Sequence, residues 1–345
     1  MAKKIIALAG DGIGPEIMAA GLAVLEEVAE RFQLDLTIEH HLFGGAAIDV
    51  YQHPLPDSTL EAVRSADAIL LAAIGGPQYD QATIRPEQGL LALRKELGLY
   101  ANLRPVKLFD SLSDRSPLKA NLLTGVDFLV VRELTGGIYF GTHHLEEDKA
   151  FDINSYTREE IKAIVRLAFE AAQRRRKKLT SIDKQNVLAT SKLWRKVVDE
   201  LAQDYPDVEV EHQLVDSAAM LLITRPSQFD VIVTENLFGD ILSDEASVLS
   251  GSLGVMPSAS HSLNGPSLYE PIHGSAPDIA GKGIANPISM ILSVAMMVRE
   301  SLGQEEAAQV IESAVERSLE KGIRTQDLGG KATTAEMLAA IISEL

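Results

Sequence analysis

The feature that most restricts how this chain folds is the alternation of short apolar runs with longer segments of helical periodicity. Ile5–Ala9 and Ala68–Ile74 are almost continuously apolar, which is typical of strands buried on both faces of a sheet. Phe128–Val131 and Val231–Val233 are shorter runs of the same kind. Because strands that alternate with helices form layered α/β structures, the pattern predicts an α/β fold.

Two of the intervening helices are marked at their first residues. Thr157 and Glu160 have the spacing of a capping box, in which the side chain of each residue accepts a hydrogen bond from the backbone N–H of the other. They predict a helix that runs to about Lys178. Asn286 and Pro287 precede a nearly all-apolar helix, which we expect to be buried between layers or at a subunit interface.

Charge and cysteine content exclude several classes of function. The chain of 345 residues carries 32 Lys and Arg against 49 Asp and Glu, a formal net charge of −17. Since this charge repels phosphate backbones and anionic lipid, we expect no nucleic-acid and no membrane partner. With no Cys, the chain has no disulfide, no thiolate nucleophile and no Cys-based zinc site. No apolar stretch is long enough for a bilayer, so the sequence predicts a soluble, cytoplasmic protein.

A glycine-rich turn follows the first apolar run. Gly10, Gly12 and Gly14 suggest a dinucleotide-binding turn. Pro15, however, stands where the third glycine of that fingerprint is expected, and no acidic residue closes a strand about 20 residues later. A tight strand-to-helix turn is the favoured interpretation, and a cofactor-binding turn is the alternative.

Asp240 and Asp244 form an acidic pair one helical turn apart. Carboxylates at positions i and i+4 project from one face of a helix and repel each other unless a cation lies between them. Oxygen ligands without Cys or paired His suit Mg²⁺ or Mn²⁺. The pair is therefore a candidate metal site, and the alternative is a pair of acids that complements the positive end of a helix dipole.

Three arginines, a tyrosine and a lysine lie in segments that favour ligand binding. Arg132 ends a predicted strand, where side chains point into the ligand crevice of α/β proteins, and Arg94 and Arg104 precede it. Together they would capture a small anion with several carboxylates. Tyr139 lies between glycines and Lys184 follows a predicted strand. A nearby cation would lower the pKa of both, which makes them candidate proton carriers, although each alone suits a structural role.

A run of five cations at 174–178 resembles a nucleic-acid-binding patch. It lacks interleaved aromatic residues, and cations are also favourable at the negative end of a helix dipole. We therefore interpret the run as the end of the helix that begins at Thr157.

Three segments carry a combined signal of high specificity. They are Gly10–Glu16, Asn236–Asp244 with the following Gly251–Gly254, and Leu268–Ile279. Together they resemble the isocitrate/isopropylmalate dehydrogenase family of β-decarboxylating dehydrogenases, and the resemblance covers essentially the whole chain.

The resemblance implies a two-domain α/β fold that is not a Rossmann fold, assembled as a homodimer. One domain, on the cofactor side, would comprise residues 1–99 and 252–345 and hold both termini. The other would comprise residues 100–251 and carry the dimer contacts and the metal-site acids.

The resemblance also implies NAD and a divalent cation, Mg²⁺ or Mn²⁺, as cofactors. By this resemblance the NAD-binding residues would be Gly75, Gly76, Pro77, Glu87, His273, Gly274, Ser275, Ala276, Pro277, Asp278, Ile279 and Asn286. Asp278 suits a ribose 2′-hydroxyl and would repel a 2′-phosphate, which favours NAD over NADP.

The reaction implied is NAD-dependent oxidation of a 2-hydroxy acid, followed by loss of its 3-carboxylate. Lys184 would act as the base and Tyr139 as the acid. The cation would be held by Asp216, Asp240 and Asp244, with Lys184 and Asp216 supplied by the partner subunit. The substrate would be bound by Arg94, Arg104, Arg132 and Asp216.

The choice of substrate depends on Leu90, Leu91 and Val187, which by the resemblance lie beside the C3 group of the substrate. Their apolar side chains suit an isopropyl group, whose burial contributes about 2 kcal/mol. We therefore expect oxidative decarboxylation of 3-isopropylmalate to 4-methyl-2-oxopentanoate in leucine biosynthesis. The alternative within the family is an enzyme acting on D-malate or tartrate. Two other classes stay open: a non-redox Mg²⁺-dependent lyase and an anion-binding protein.

Overall fold

A computed structural model describes residues 2–345. The strands are β1 (Lys3–Gly10), β2 (Leu36–His40), β3 (Ala68–Ala73), β4 (Leu99–Lys107), β5 (Asp127–Glu133), β6 (His143–Leu145), β7 (Ala150–Asp152), β8 (Lys178–Asp183), β9 (Glu209–Leu214), β10 (Val231–Thr234), β11 (Pro257–Ser262) and β12 (Ser267–Pro271). The helices are α1 (Gly14–Phe32), α2 (Gly45–Tyr51), α3 (Asp57–Arg64), α4 (Pro86–Leu97), α5 (Ala120–Leu123), α6 (Arg158–Gln173), α7 (Ala189–Ala202), α8 (Val215–Thr224), α9 (Asn236–Ser247), α10 (Ile288–Glu300), α11 (Glu305–Glu320) and α12 (Thr334–Glu344). The α/β class expected from the alternating pattern is confirmed.

The chain divides into two compact units. The terminal unit consists of Met1–Gly98, Phe109–Arg115 and Gly251–Leu345, and the central unit consists of Leu99–Leu108 and Ser116–Ser250. Across residues 2–345, no helix combines the length and the apolar composition that crossing a membrane requires.

The terminal unit is built on strands in the order β2-β1-β3-β12-β11. β1, β2, β3 and β12 run parallel, and β11 pairs antiparallel with β12. The nearly all-apolar helix predicted after Asn286 is α10, which packs against β11, β12, α1 and α11. Every residue of it from Ile288 to Val298 is buried within this one unit. Of the two expected environments, burial between layers is therefore the one observed.

The central unit is built on strands in the order β4-β5-β10-β8-β9. β5, β10, β8 and β9 are parallel, so their carboxyl ends lie at one edge, where α/β proteins place their ligands. The predicted capping box opens α6, since Thr157 N–H donates to Glu160 Oε2 at 2.6 Å and Glu160 N–H donates to Thr157 Oγ1 at 3.3 Å. Local sequence signals therefore place this helix start correctly.

The predicted end of α6 at Lys178 is wrong, because the helix ends at Gln173. Lys177 has a φ of +61°, in the left-handed region that a right-handed helix does not use, and Lys178 already begins β8. The cationic run lies beyond the last helical turn, where Arg175 donates to Asp230 at 2.9 Å. Asp230, which directly precedes β10, is 1% exposed, so Arg175 of the cationic run neutralises a buried carboxylate.

Candidate active site

Helix α9 carries the two predicted metal-site acids on adjacent turns, directly after β10. Asp240 Oδ1 pairs with the guanidinium of Arg132, and Asp240 Oδ2 accepts a hydrogen bond from the Tyr139 hydroxyl at 2.8 Å. Asp244 Oδ1 accepts from Arg104 at 3.1 Å. Five of the predicted site residues, from four separate elements, are thus brought together; we call them the acid–arginine cluster. Each carboxylate meets a cation, which offsets the repulsion expected within the acidic pair.

Arg132 is the most enclosed member of this cluster, at 4% exposure. It is the next-to-last residue of β5, near the carboxyl edge at which the sequence predicts it, and its guanidinium lies over the Tyr139 ring, 5.5 Å from the ring centroid. Gly239 of α9 covers its stem, since a Cβ there would lie 2.6 Å from Arg132 Cγ. Glycine at this position therefore permits the helix to approach the arginine.

The pKa of Tyr139 departs from the sequence expectation. Burial raises it above its ordinary value, and the bond to Asp240 adds to the effect, while the charge of Arg132 opposes both. Arg132 is the nearby cation that the sequence led us to expect, but its lowering effect on the pKa is smaller than the combined raising effect of burial and Asp240. The tyrosine accordingly stays protonated at neutral pH, which suits a proton donor.

Lys184 and Asp216 form a second charged pair in the central unit. Lys184 follows the carboxyl end of β8, and its ammonium donates to Asp216 in the first turn of α8. This contact lowers the pKa of Asp216. Among residues 2–345, no group of three or more His, Asp or Glu side chains is placed to hold a metal ion. Asp216 therefore does not join Asp240 and Asp244 within the described chain.

The predicted apolar substrate contacts are largely open to solvent. On α4 of the terminal unit, Leu90 is half-buried and Leu91 is 46% exposed, while Val187 in the central unit is 65% exposed. Arg94, also on α4, meets Glu270 at 3.4 Å, and its Nε is enclosed without a hydrogen-bond partner among the described residues. An unsatisfied buried donor of this kind is a position where an anionic ligand can be accommodated.

A cleft of about 580 Å³ in the terminal unit contains much of the predicted cofactor loop. The predicted residues that line it are His273, Gly274, Ala276, Ile279 and Asn286. Ile284 lies in the same predicted loop, between His273 and Asn286. Sequence reasoning missed the other lining residues, Ile13, Ser252, Leu253, Gly254, Gln326 and Asp327. Gln326 and Asp327 are at least forty residues from the loop in sequence and carry no motif, so no local signal could have identified them.

The chemistry of this cleft fits an organic cofactor. His273 Nε2 is enclosed without a hydrogen-bond partner in the described chain, and burial lowers the pKa of the ring, which keeps it neutral. Ala276 has a φ of +40°, a strained conformation for a residue with a Cβ and one that concentrates at ligand sites. A Cβ at Gly274 would meet no atom within 4 Å, so there is open space beside the backbone. Asp278 is exposed on the short turn that follows.

The other predicted cofactor segment, Gly75 to Pro77, lies beside a cavity of about 230 Å³. Two predicted residues, Gly76 and Glu87, line this cavity. The other lining residues are Tyr79, Asp80 and Arg85. Gly75 has a φ of +97°, which requires glycine. Its N–H donates to the buried carboxylate of Asp11 at 2.8 Å.

The glycine turn that begins α1 connects both predicted cofactor segments. Asp11 binds Gly75 as well as the N–H groups of Gly45 and Ala46, at 2.8 and 2.7 Å. Ile13 N–H donates to Ser275 O at 2.8 Å. The favoured interpretation of this segment as a tight strand-to-helix turn agrees with these bonds, and its further role in holding the loops was not foreseen.

A family profile described as isocitrate/isopropylmalate dehydrogenase matches residues 4–341. A 3-isopropylmalate dehydrogenase from Streptococcus thermophilus is 70% identical over 345 residues, and one from Streptococcus pneumoniae is 71% identical over 345 residues, each alignment covering 100% of both chains. The crystal structure of isocitrate dehydrogenase from Methylococcus capsulatus matches with a TM-score of 0.89 and 38% identity over 99% of both chains. That of a β-decarboxylating dehydrogenase from Thermococcus kodakarensis matches with a TM-score of 0.84 and 39% identity over 99% of this chain and 96% of that one.

Proposed function

Because this chain belongs to the isocitrate/isopropylmalate dehydrogenase family, we propose that it catalyses the oxidative decarboxylation of 3-isopropylmalate in leucine biosynthesis. The product is 4-methyl-2-oxopentanoate, released with CO₂. The observation that carries the proposal is the acid–arginine cluster, in a chain that is 70% identical over its full length to a curated 3-isopropylmalate dehydrogenase. A plain anion-binding protein would have no use for Tyr139, whose hydroxyl donates to Asp240 within this cluster.

Two cofactors belong to this proposal. A divalent cation, Mg²⁺ or Mn²⁺, would be held by Asp240 and Asp244 with Asp216, since these hard oxygen donors match its preference. NAD would bind in the cleft at His273 and along Gly75 to Pro77. We favour NAD over NADP because the exposed Asp278 carboxylate would repel a 2′-phosphate.

When bound, the cation supplies a Lewis acid and NAD⁺ supplies the acceptor for the hydride of C2. The chain's own groups do the remaining work. Arg104 and Arg132, and Arg94 of the terminal unit, hold the substrate carboxylates through charge-assisted hydrogen bonds. Lys184 acts in its neutral amine form and takes the proton of the C2 hydroxyl. After the 3-carboxylate has left as CO₂, Tyr139, kept protonated by its environment, delivers a proton to C3.

The same proposal includes a second copy of the chain. Apolar side chains are exposed on three elements of the central unit: Leu145 on β6 at 84%, Met220 on α8 at 63% and Ile241 on α9 at 57%. Since α8 carries Asp216 and α9 carries Asp240, a homodimer that covers these faces would bring acids from two chains to one site. This arrangement supports the proposal that Lys184 and Asp216 of one chain complete the active site of its partner.

The predictions of a cytoplasmic location and of no nucleic-acid or membrane partner rest on composition alone.

An initial-rate screen tests the activity. The purified chain is assayed with 3-isopropylmalate, D-malate, tartrate and isocitrate, each with NAD⁺ and Mn²⁺, and NADH is followed by absorbance. We expect the largest kcat/KM for 3-isopropylmalate, loss of the rate in chelator and its return with Mn²⁺ or Mg²⁺. A higher kcat/KM for D-malate or tartrate would assign the chain to those activities, and turnover without NADH would support a lyase.

A further inference from the structure

Asn236, the first residue of α9, lies at the centre of the hydrogen bonds that shape the acid–arginine cluster. It is 1% exposed, and both ends of its side-chain amide are used. Its Oδ1 accepts from Arg132 Nε at 3.2 Å and from Arg132 Nη2 at 2.9 Å, and its Nδ2 donates to Gly136 O at 3.2 Å. Its backbone is also engaged, since the carbonyl accepts from Arg132 Nε at 3.0 Å and its N–H donates to the Tyr156 hydroxyl at 2.9 Å.

The bonds to Arg132 determine where its guanidinium points. The group is planar and rigid, so holding Nε and Nη2 along one edge fixes the plane and the direction of the remaining Nη1. In this orientation Nη1 meets Asp240 Oδ1. Asn236 therefore sets the orientation of an arginine that is almost wholly buried and has little freedom to adjust.

The bond to Gly136 determines where the turn that carries Tyr139 begins. The Gly136 N–H donates to the buried Glu133 carboxylate at 3.0 Å, so both the carbonyl and the amide of this one residue are hydrogen-bonded to buried side chains. There is no room for the turn to shift inward, because a Cβ on Gly136 would lie 2.7 Å from the Tyr156 ring. From this start, the Tyr139 hydroxyl reaches Asp240 Oδ2 at 2.8 Å.

We infer that Asn236 is a positioning residue that aligns Arg132 and Tyr139 with the two oxygens of Asp240 at the same time. It acts through these residues and not on the substrate. Only an amide serves here, since the position needs an acceptor toward Arg132 and a donor toward Gly136 O, both buried. The roles of Arg132 and Tyr139 as substrate-binding and proton-donating groups rest on the proposed function.

Two substitutions separate the two bonds. Asn236→Asp keeps an acceptor toward Arg132 but places a carboxylate oxygen against Gly136 O, so we expect kcat to fall about 10- to 100-fold with a smaller change in the KM for 3-isopropylmalate. Asn236→Ala removes both bonds, so KM should rise about 10-fold or more as kcat falls. The dissociation constant of NADH, measured by fluorescence, should stay within about twofold in both, since the cleft belongs to the terminal unit. Asn121→Asp, at an exposed position of the central unit, is the control for the added charge.

Hydrogen–deuterium exchange of the segment 134–141 provides a readout that does not require turnover. We expect faster exchange in both Asn236 variants than in the wild type and the Asn121→Asp control. Unchanged exchange together with kcat and KM within twofold of the wild type would overturn the inference. Failure of the wild type to oxidise 3-isopropylmalate, with faster exchange still seen in the variants, would instead overturn the proposed function and leave the positioning role supported.

Discussion

Replacing Glu235 with Gln should make the protein more stable at pH 8 while changing its stability at pH 5 much less. Glu235 directly precedes α9, is 2% exposed and accepts a hydrogen bond from Ser191, whose hydroxyl in turn accepts from the backbone N–H of Lys184. Burial raises the pKa of its carboxyl from 4.5 to about 7. The bonds from Ser191 and Asn154 oppose this rise, and the charge of Asp183 adds to it.

The sign and the size of the effect follow from the raised pKa. The folded protein favours the neutral carboxyl, so the associated stability is complete below pH 4.5 and is lost as the pH rises through 7. A rise of this extent corresponds to about 3 kcal/mol of unfolding free energy, of which about 2–3 kcal/mol is lost between pH 5 and 8. Glutamine is uncharged at every pH, so the Glu235→Gln variant does not lose this unfolding free energy between pH 5 and 8.

The assay is urea unfolding followed by circular dichroism at pH 5, 6.5 and 8 and at one protein concentration. Subtracting the wild-type free energy from that of Glu235→Gln removes every titrating group that the two proteins share. The control is Glu211→Gln, because Lys178 lowers the pKa of Glu211. The stability from Glu211 is present above its ordinary pKa of 4.5, so that variant should be less stable than the wild type by a nearly constant amount from pH 5 to 8. A difference between Glu235→Gln and wild type that stays constant from pH 5 to 8 would refute the reasoning.

Three further predictions concern the proposed sites. Gly12→Ala should lower the thermal midpoint by the equivalent of about 1–3 kcal/mol and weaken NADH binding. The reason is that Gly12 has a φ of +57° and that a Cβ there would lie 2.1 Å from Ser275 O, in the predicted cofactor loop. An unchanged thermal midpoint would contradict this prediction. Lys184→Met should abolish hydride transfer in a single turnover while NADH still binds, and near-normal transfer would mean that another group is the base. Leu90→Ala combined with Leu91→Ala should reduce the preference for 3-isopropylmalate over D-malate about 10- to 200-fold, as the ratio of the two kcat/KM values measures, and an untouched ratio would place the specificity elsewhere.

Features decided by neighbouring residues can be predicted from the sequence alone. The capping box at Thr157 and the helical spacing of Asp240 and Asp244 depend on contacts within one turn of helix, and both are observed. The end of α6 could not be located in this way. Lys177 leaves the helix where Arg175 reaches the buried Asp230, a residue far along the chain, and no local pattern announces such a contact.

The sequence by itself determined the α/β class, the family and the types of group at the site, because apolar periodicity, turn chemistry and motif spacing are all local properties of the chain. Only the tertiary structure decided which group each site residue meets. Tyr139 and Asp240 are 101 positions apart, and the structure makes them partners. The pKa of Tyr139 rises for the same reason: burial and a carboxylate brought from another element outweigh the adjacent Arg132. Burial and the distances between charges exist only once the strands and helices have packed, and these quantities set the protonation of the site.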